Sequence, residues 1–212
     1  VTGVQTCALP IFGVIGAVIG APAAAGQTDA RPAPDGFSLR DGDRVALLGD
    51  TFFERENWLG FIEAGLVAAH PEATLSFRNL GWSGDTVWAE SRGVFDPPAK
   101  GYERMLALVR ELRPTVVIVA YGRNESYRGV AAVPAFRDQF ARLCTDLKAA
   151  SAENARLVLV TPHAFETADA AVRNGPLAAY ADAIRDLARE RGAGLVDLLA
   201  LPPRAEIGRA HV

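Results

Sequence analysis

Short apolar runs alternate along this chain with longer segments whose apolar residues recur at helical spacing. Residues 44–49 read as a buried strand and residues 58–69 as the helix that follows. Residues 74–79 alternate in polarity and suit a more peripheral strand. Residues 102–112 form a second helix, stopped at Arg113-Pro114. Residues 115–121 are apolar on both faces, which places that strand centrally in a parallel sheet. A helix over 134–150 opens on proline, and a strand over 157–161 follows it. A helix over 177–191 is closed by Gly192, and a last strand covers 195–199. The alternation predicts an α/β domain, three-layer α/β/α, with a parallel sheet of about five strands joined by right-handed crossovers.

Composition narrows the partners. Half of the 212 residues are hydrophobic and the formal net charge is -3. No basic tract or aromatic-basic interleaving points to a nucleic acid. The histidines and cysteines are too scattered for metal-ligand spacing, so neither a metal nor a cofactor is expected.

The ends of the chain read differently from its middle. With suitable codons, residues 1–11 and 206–212 can be written as opposite strands of one oligonucleotide that resembles a sequencing-library adaptor. Both are therefore expected to be foreign, Cys7 and His211 with them. Cys144 is then the sole native cysteine, and no intrachain disulfide is available. Residues 12–25 are apolar and end in Ala23-Ala24-Ala25, the pattern of the back half of a signal peptide. The stretch is too short for a span of about 20 residues, so export to the periplasm or the outside is expected, with no membrane span in the mature chain. Residues 26–42 form a linker containing prolines, and residues 43–205 the domain.

Ligands of open parallel sheets bind beyond the carboxyl ends of the strands. Three clusters of small and polar residues fall there: Gly49-Asp50-Thr51, Asn79-Leu80-Gly81-Trp82-Ser83-Gly84-Asp85-Thr86, and Gly122-Arg123-Asn124-Glu125. These clusters resemble, in order and spacing, the first three blocks of the SGNH (GDSL-type) hydrolases over about residues 43–200. They are similar in particular to a bacterial subgroup with Gly-Asp-Thr in place of Gly-Asp-Ser. The resemblance implies a flavodoxin-like sheet and hydrolysis of esters of carbohydrates or small molecules through an acyl-enzyme. It makes Thr51 the nucleophile. The Thr51 and Gly84 N–H groups and the Asn124 side-chain amide become donors to the oxyanion that acyl transfer creates. Asp50, Trp82 and His163 fall on the same rim as candidate substrate contacts.

The family's general base is the histidine of a C-terminal Asp-x-x-His block, which is absent here. A hydroxyl without a base is a weak nucleophile, so the chain as given is expected to be inactive, its base lying in a lost final segment. Simpler roles compete. Thr51 fits the N-cap of a capping box with Glu54 reaching back, and its β-methyl crowds the path of attack. Gly84 can be a turn glycine, Asn124 a loop cap and His163 an ordinary loop residue. Glu125 reads as a solvated or turn-stabilising charge, and His70 as a partner of a helix C-terminus. Trp82 and Trp88 fit packing as well as sugar stacking, and Cys144 fits a helix core. A non-catalytic glycan- or protein-binding module of the same fold is the alternative function.

Overall fold

The computed structural model describes residues 37–201. The adaptor-like ends, the export segment and most of the linker lie outside the described residues. Five strands and five α-helices alternate: β1 (Arg44–Gly49), α1 (Thr51–Leu59), α2 (Phe61–Ala69), β2 (Ser76–Gly81), α3 (Pro98–Leu112), β3 (Val116–Ala120), α4 (Val133–Ala150), β4 (Arg156–Val160), α5 (Ala170–Arg191) and β5 (Gly194–Val196). All strand pairs are parallel, in the order β2-β1-β3-β4-β5. Every residue of β3 is buried, as its apolar run demands, whereas β2 lies at the edge and is only half-buried.

Alternate residues of the strands feed two cores. Ala46, Leu48, Val117, Val119, Leu157 and Leu159 pack under α3, α4 and α5. Val45, Leu47, Val116, Ile118, Val158 and Val160 face the other way, with Phe53, Ile62 and Leu66 of α1 and α2. Within α4, Phe136, Phe140, Leu143, Cys144 and Leu147 form the buried stripe.

The last strand stops at Val196 rather than reaching 199, and three helices depart from the sequence reading. The helix expected over 58–69 is two helices, broken where Gly60 adopts φ 64° and its N–H caps Glu56; a left-handed residue ends a helix, and glycine takes that conformation without strain. α3 starts earlier, at Pro98, in the first-turn position that suits proline. α5 runs through Pro176 from Ala170, although an interior proline forgoes its N–H bond and crowds the carbonyl four residues back.

At the amino ends of the strands, Asp43 staples the sheet. Its carboxylate accepts from the Arg40 N–H (2.6 Å), the Thr115 hydroxyl (2.6 Å) and Arg156 (2.5 Å). Residues before β1, before β3 and at the start of β4 are thereby held together. At the other end, the chain leaves β1 directly into α1, which lies so close to β2 that a Cβ on Gly81 would sit 2.3 Å from the Glu54 nitrogen.

Candidate active site

β1 neighbours both β2 and β3, so the connections leave it in opposite directions and open a crevice at its carboxyl end. Thr51 stands there as the first residue of α1. It is not the N-cap: Asp50 is, accepting from the Phe52 N–H at 2.9 Å, and Glu54 instead takes the Ser83 hydroxyl at 3.0 Å. The expected capping box is therefore not formed, because the shorter aspartate one residue earlier already meets the free N–H. Thr51 Oγ1 is left to face the loop after β2, where it accepts from the Gly84 N–H at 2.9 Å.

That loop is fixed from several sides. The Ser91 hydroxyl donates to the Gly84 carbonyl (2.9 Å), and Thr86 donates to Glu90 (2.7 Å). The Asn124 side-chain amide donates to the Asp85 carbonyl at 2.7 Å, using one of its two amide hydrogens. Thr51, Gly84 and Asn124 are thus brought together as one connected set: hydroxyl to Gly84, and Gly84's neighbour Asp85 to Asn124.

Below them lies a buried cluster that the sequence did not single out. Asp85 and Arg92 are both buried and pair at 2.5 Å; the Tyr121 hydroxyl also donates to Asp85 at 2.9 Å. Arg92 donates as well to the carbonyls of Leu80 (2.7 Å) and Gly49 (3.3 Å). One guanidinium therefore ties the carboxyl ends of β1 and β2. Burial drives the Tyr121 hydroxyl well above its ordinary pKa, with the Asp85 carboxylate adding to the effect, so it stays a donor.

Glu125 is neither solvated nor at the surface. It is fully buried, accepting from the N–H groups of Val87 and Gly122, each at 2.8 Å. Burial lifts its carboxyl to about 7 against those two hydrogen bonds. Asp50 is also buried, and loss of solvent raises it to about 6 despite the Phe52 N–H and nearby Arg123.

The three candidate substrate contacts separate. Asp50 and His163 line one small pocket with Phe52, Arg123 and Thr161; the Phe52 and His163 rings lie 5.8 Å apart. Trp82 instead lines a groove of about 370 Å³ on the other side, with Phe95, Met105 and Leu108. Trp88 packs against the core under the Arg128 guanidinium, 4.7 Å from the ring centre. His70 caps α2, its Nδ1 2.9 Å from the Leu66 carbonyl, and Cys144 is buried. No helix of the described residues is long and apolar enough to cross a membrane.

Strand order and rim together define an α/β/α domain of the SGNH-hydrolase type. The chain belongs to the GDSL-like lipase/acylhydrolase family, whose model matches residues 41–210. Ester hydrolysis is thus its activity at the level of the family.

Its fold is similar to that of Axe2, an acetylxylan esterase from Geobacillus stearothermophilus, at 17% identity, over 74% of this chain and 76% of that one, with a TM-score of 0.57. It is also similar to LAE5, an alpha/beta hydrolase enzyme from the metagenome of Lake Arreo, Spain, at 20% identity, over 75% and 78% of the two chains, with a TM-score of 0.58. At these identities the likeness establishes the fold. No curated protein matches the chain.

Proposed function

We propose that this domain cleaves acyl esters of carbohydrates or small alcohols through an acyl-enzyme on Thr51. The observation that carries the proposal is the hydrogen bond from Gly84 to Thr51 Oγ1, with Asn124 fastened to the adjoining peptide. In the reaction Oγ1 attacks the ester carbonyl carbon and gives up its proton to a base. The carbonyl oxygen becomes the oxyanion, stabilised by the N–H groups of Thr51 and Gly84 and the second amide hydrogen of Asn124. Collapse expels the alcohol, which takes a proton, and water then frees the acid from Thr51.

The Thr51 N–H suits this role because the first N–H groups of a helix have no partner within it. Support for a carbohydrate ester comes from the half-exposed Trp82 in its groove with Phe95, aromatic faces on which a sugar ring can lie, and from the acetylxylan esterase of like fold. The sequence holds no Asp-x-x-His block, so turnover by this chain is proposed to be very slow. Export belongs to the same reading and rests on residues 12–25 alone.

The experiment is to incubate the chain with p-nitrophenyl acetate and map acetylation by mass spectrometry. One acetyl group on Thr51 is expected, with acylation about a hundred- to a thousand-fold slower in Asn124→Ala, as for loss of one oxyanion donor. No acetyl group on Thr51 after prolonged incubation would sink the reading and favour the binding module.

A further inference from the structure

Glu125 has no part in the reaction just described, yet its carboxylate is fully enclosed on this rim. Its two oxygens do different things. Oε2 accepts from Gly122, at the end of the β3 run, while Oε1 crosses to Val87 in the loop after β2. The next residue back, Asn124, donates to Asp85 in that same loop. Two adjacent side chains of the third cluster thus grip the loop after β2 at Asp85 and Val87, on the side that leads away from Gly84.

A carboxylate with two buried N–H partners is a directional strap, because each hydrogen bond to a charged group is stronger than a neutral one. Protonation removes half of it: a carboxylic acid keeps one good acceptor and presents an O–H to the other N–H.

We infer that Glu125 is a positioning residue that sets the spacing between the Gly84 and Asn124 donors by holding their two loops together. The inference rests on the esterase reading only in taking those two groups as the oxyanion donors. Charged and titratable groups surround the strap on each side. Asp50, at the end of β1, adds like charge. Tyr180 of α5 feels Glu125. In the loop after β2, the Asp85 charge is matched by Arg92. On the same turn as Glu125, Arg128 pairs with Glu90.

The test is nuclear magnetic resonance of the full chain, which needs no turnover. The amide signals of Val87 and Gly122 are expected to move together with pH through one midpoint. The Gly84 amide and the Asn124 side-chain amide are expected to follow with the same midpoint. In Glu125→Gln all four become insensitive to pH in that range and sit near the acid positions of the parent.

If Val87 and Gly122 titrate while Gly84 and Asn124 stay still, Glu125 merely stabilises its turn and the inference is overturned. It is likewise overturned if Val87 and Gly122 do not titrate. Should Glu125→Gln not fold, the titration of the parent decides the matter alone. Acylation by p-nitrophenyl acetate then separates the two proposals. A coupled titration without acylation removes the esterase reading and leaves the strap. Acylation with unmoved Gly84 and Asn124 signals does the reverse.

Discussion

Arg92 meets the carboxylate of Asp85 at 2.5 Å where both side chains are buried, and the same guanidinium holds the carbonyls of Leu80 and Gly49. Two strand ends and the loop bearing Gly84 therefore hang on one ion pair. Removing one member of such a pair strands the other charge away from water. Arg92→Met is expected to cost about 3–5 kcal/mol of stability, read by urea denaturation. A loss below about 1 kcal/mol, the range of exposed pairs, would mean that Asp85 finds another partner.

The approach of α1 to β2 gives a second expectation. In Gly81→Ala the new methyl would lie 2.3 Å from the Glu54 nitrogen and 2.5 Å from the Phe53 carbonyl carbon. Backbone on both sides cannot yield cheaply, so destabilisation of about 3 kcal/mol is expected, at the upper end for overpacking. Gly175→Ala, where nothing lies within 4 Å, serves as the control. Indistinguishable melting temperatures for the two variants would refute the close approach.

Stability should respond to pH in two opposed ways. Burial lifts Asp50 to about 6 and Glu125 to about 7. A carboxyl raised on folding contributes fully below its unfolded pKa and loses that contribution as pH rises through the folded value. Asp43 and Asp197 are also pushed up by burial, but hydrogen bonds outweigh it, from Thr115 and Arg156 in one case and Arg185 and Thr161 in the other. Their folded values are lowered, so their contribution is present above the unfolded value of about 3.9 and is lost as pH falls through the folded one. Denaturation across the pH range is expected to show greatest stability near about pH 4, where the lowered carboxyls have gained their contribution and the raised ones have not yet lost theirs. A maximum at or above about pH 8 would contradict the opposed shifts.

Cys144 offers a simple check on the core. Burial raises its thiol to about 11, and only the thiolate reacts readily. Peptide mapping after iodoacetamide is expected to find Cys144 unlabelled in the folded chain and fully labelled in denaturant. Labelling at equal rates in both would show that α4 does not pack as described.

What the sequence disclosed was whatever depends on period and punctuation. The all-apolar run of β3 announced a central strand, and the alternation in β2 an edge. The glycines and polar residues at three strand ends marked the rim. What it concealed was set by contacts between distant segments. Glu125 follows Asn124 in a loop and looks solvated until the loop after β2 is laid over it. Arg92, in Ala-Glu-Ser-Arg-Gly, resembles any surface arginine until Asp85 turns inward to meet it; their spacing of seven residues across a tight loop was the only hint. Local pattern put the cap at Thr51, because Thr-x-x-Glu is the capping-box spacing, whereas Asp50 holds it. Asp50 takes the Phe52 N–H and leaves the Thr51 hydroxyl to face Gly84.

The Asp43 staple lies at the ends of the strands opposite the rim, where it gathers Arg40, Thr115 and Arg156. Alignment of the strands is thereby anchored far from every residue proposed to touch substrate. Diversification of the rim loops can proceed without a shift in strand pairing, so new specificities are open to this scaffold at little risk to its architecture.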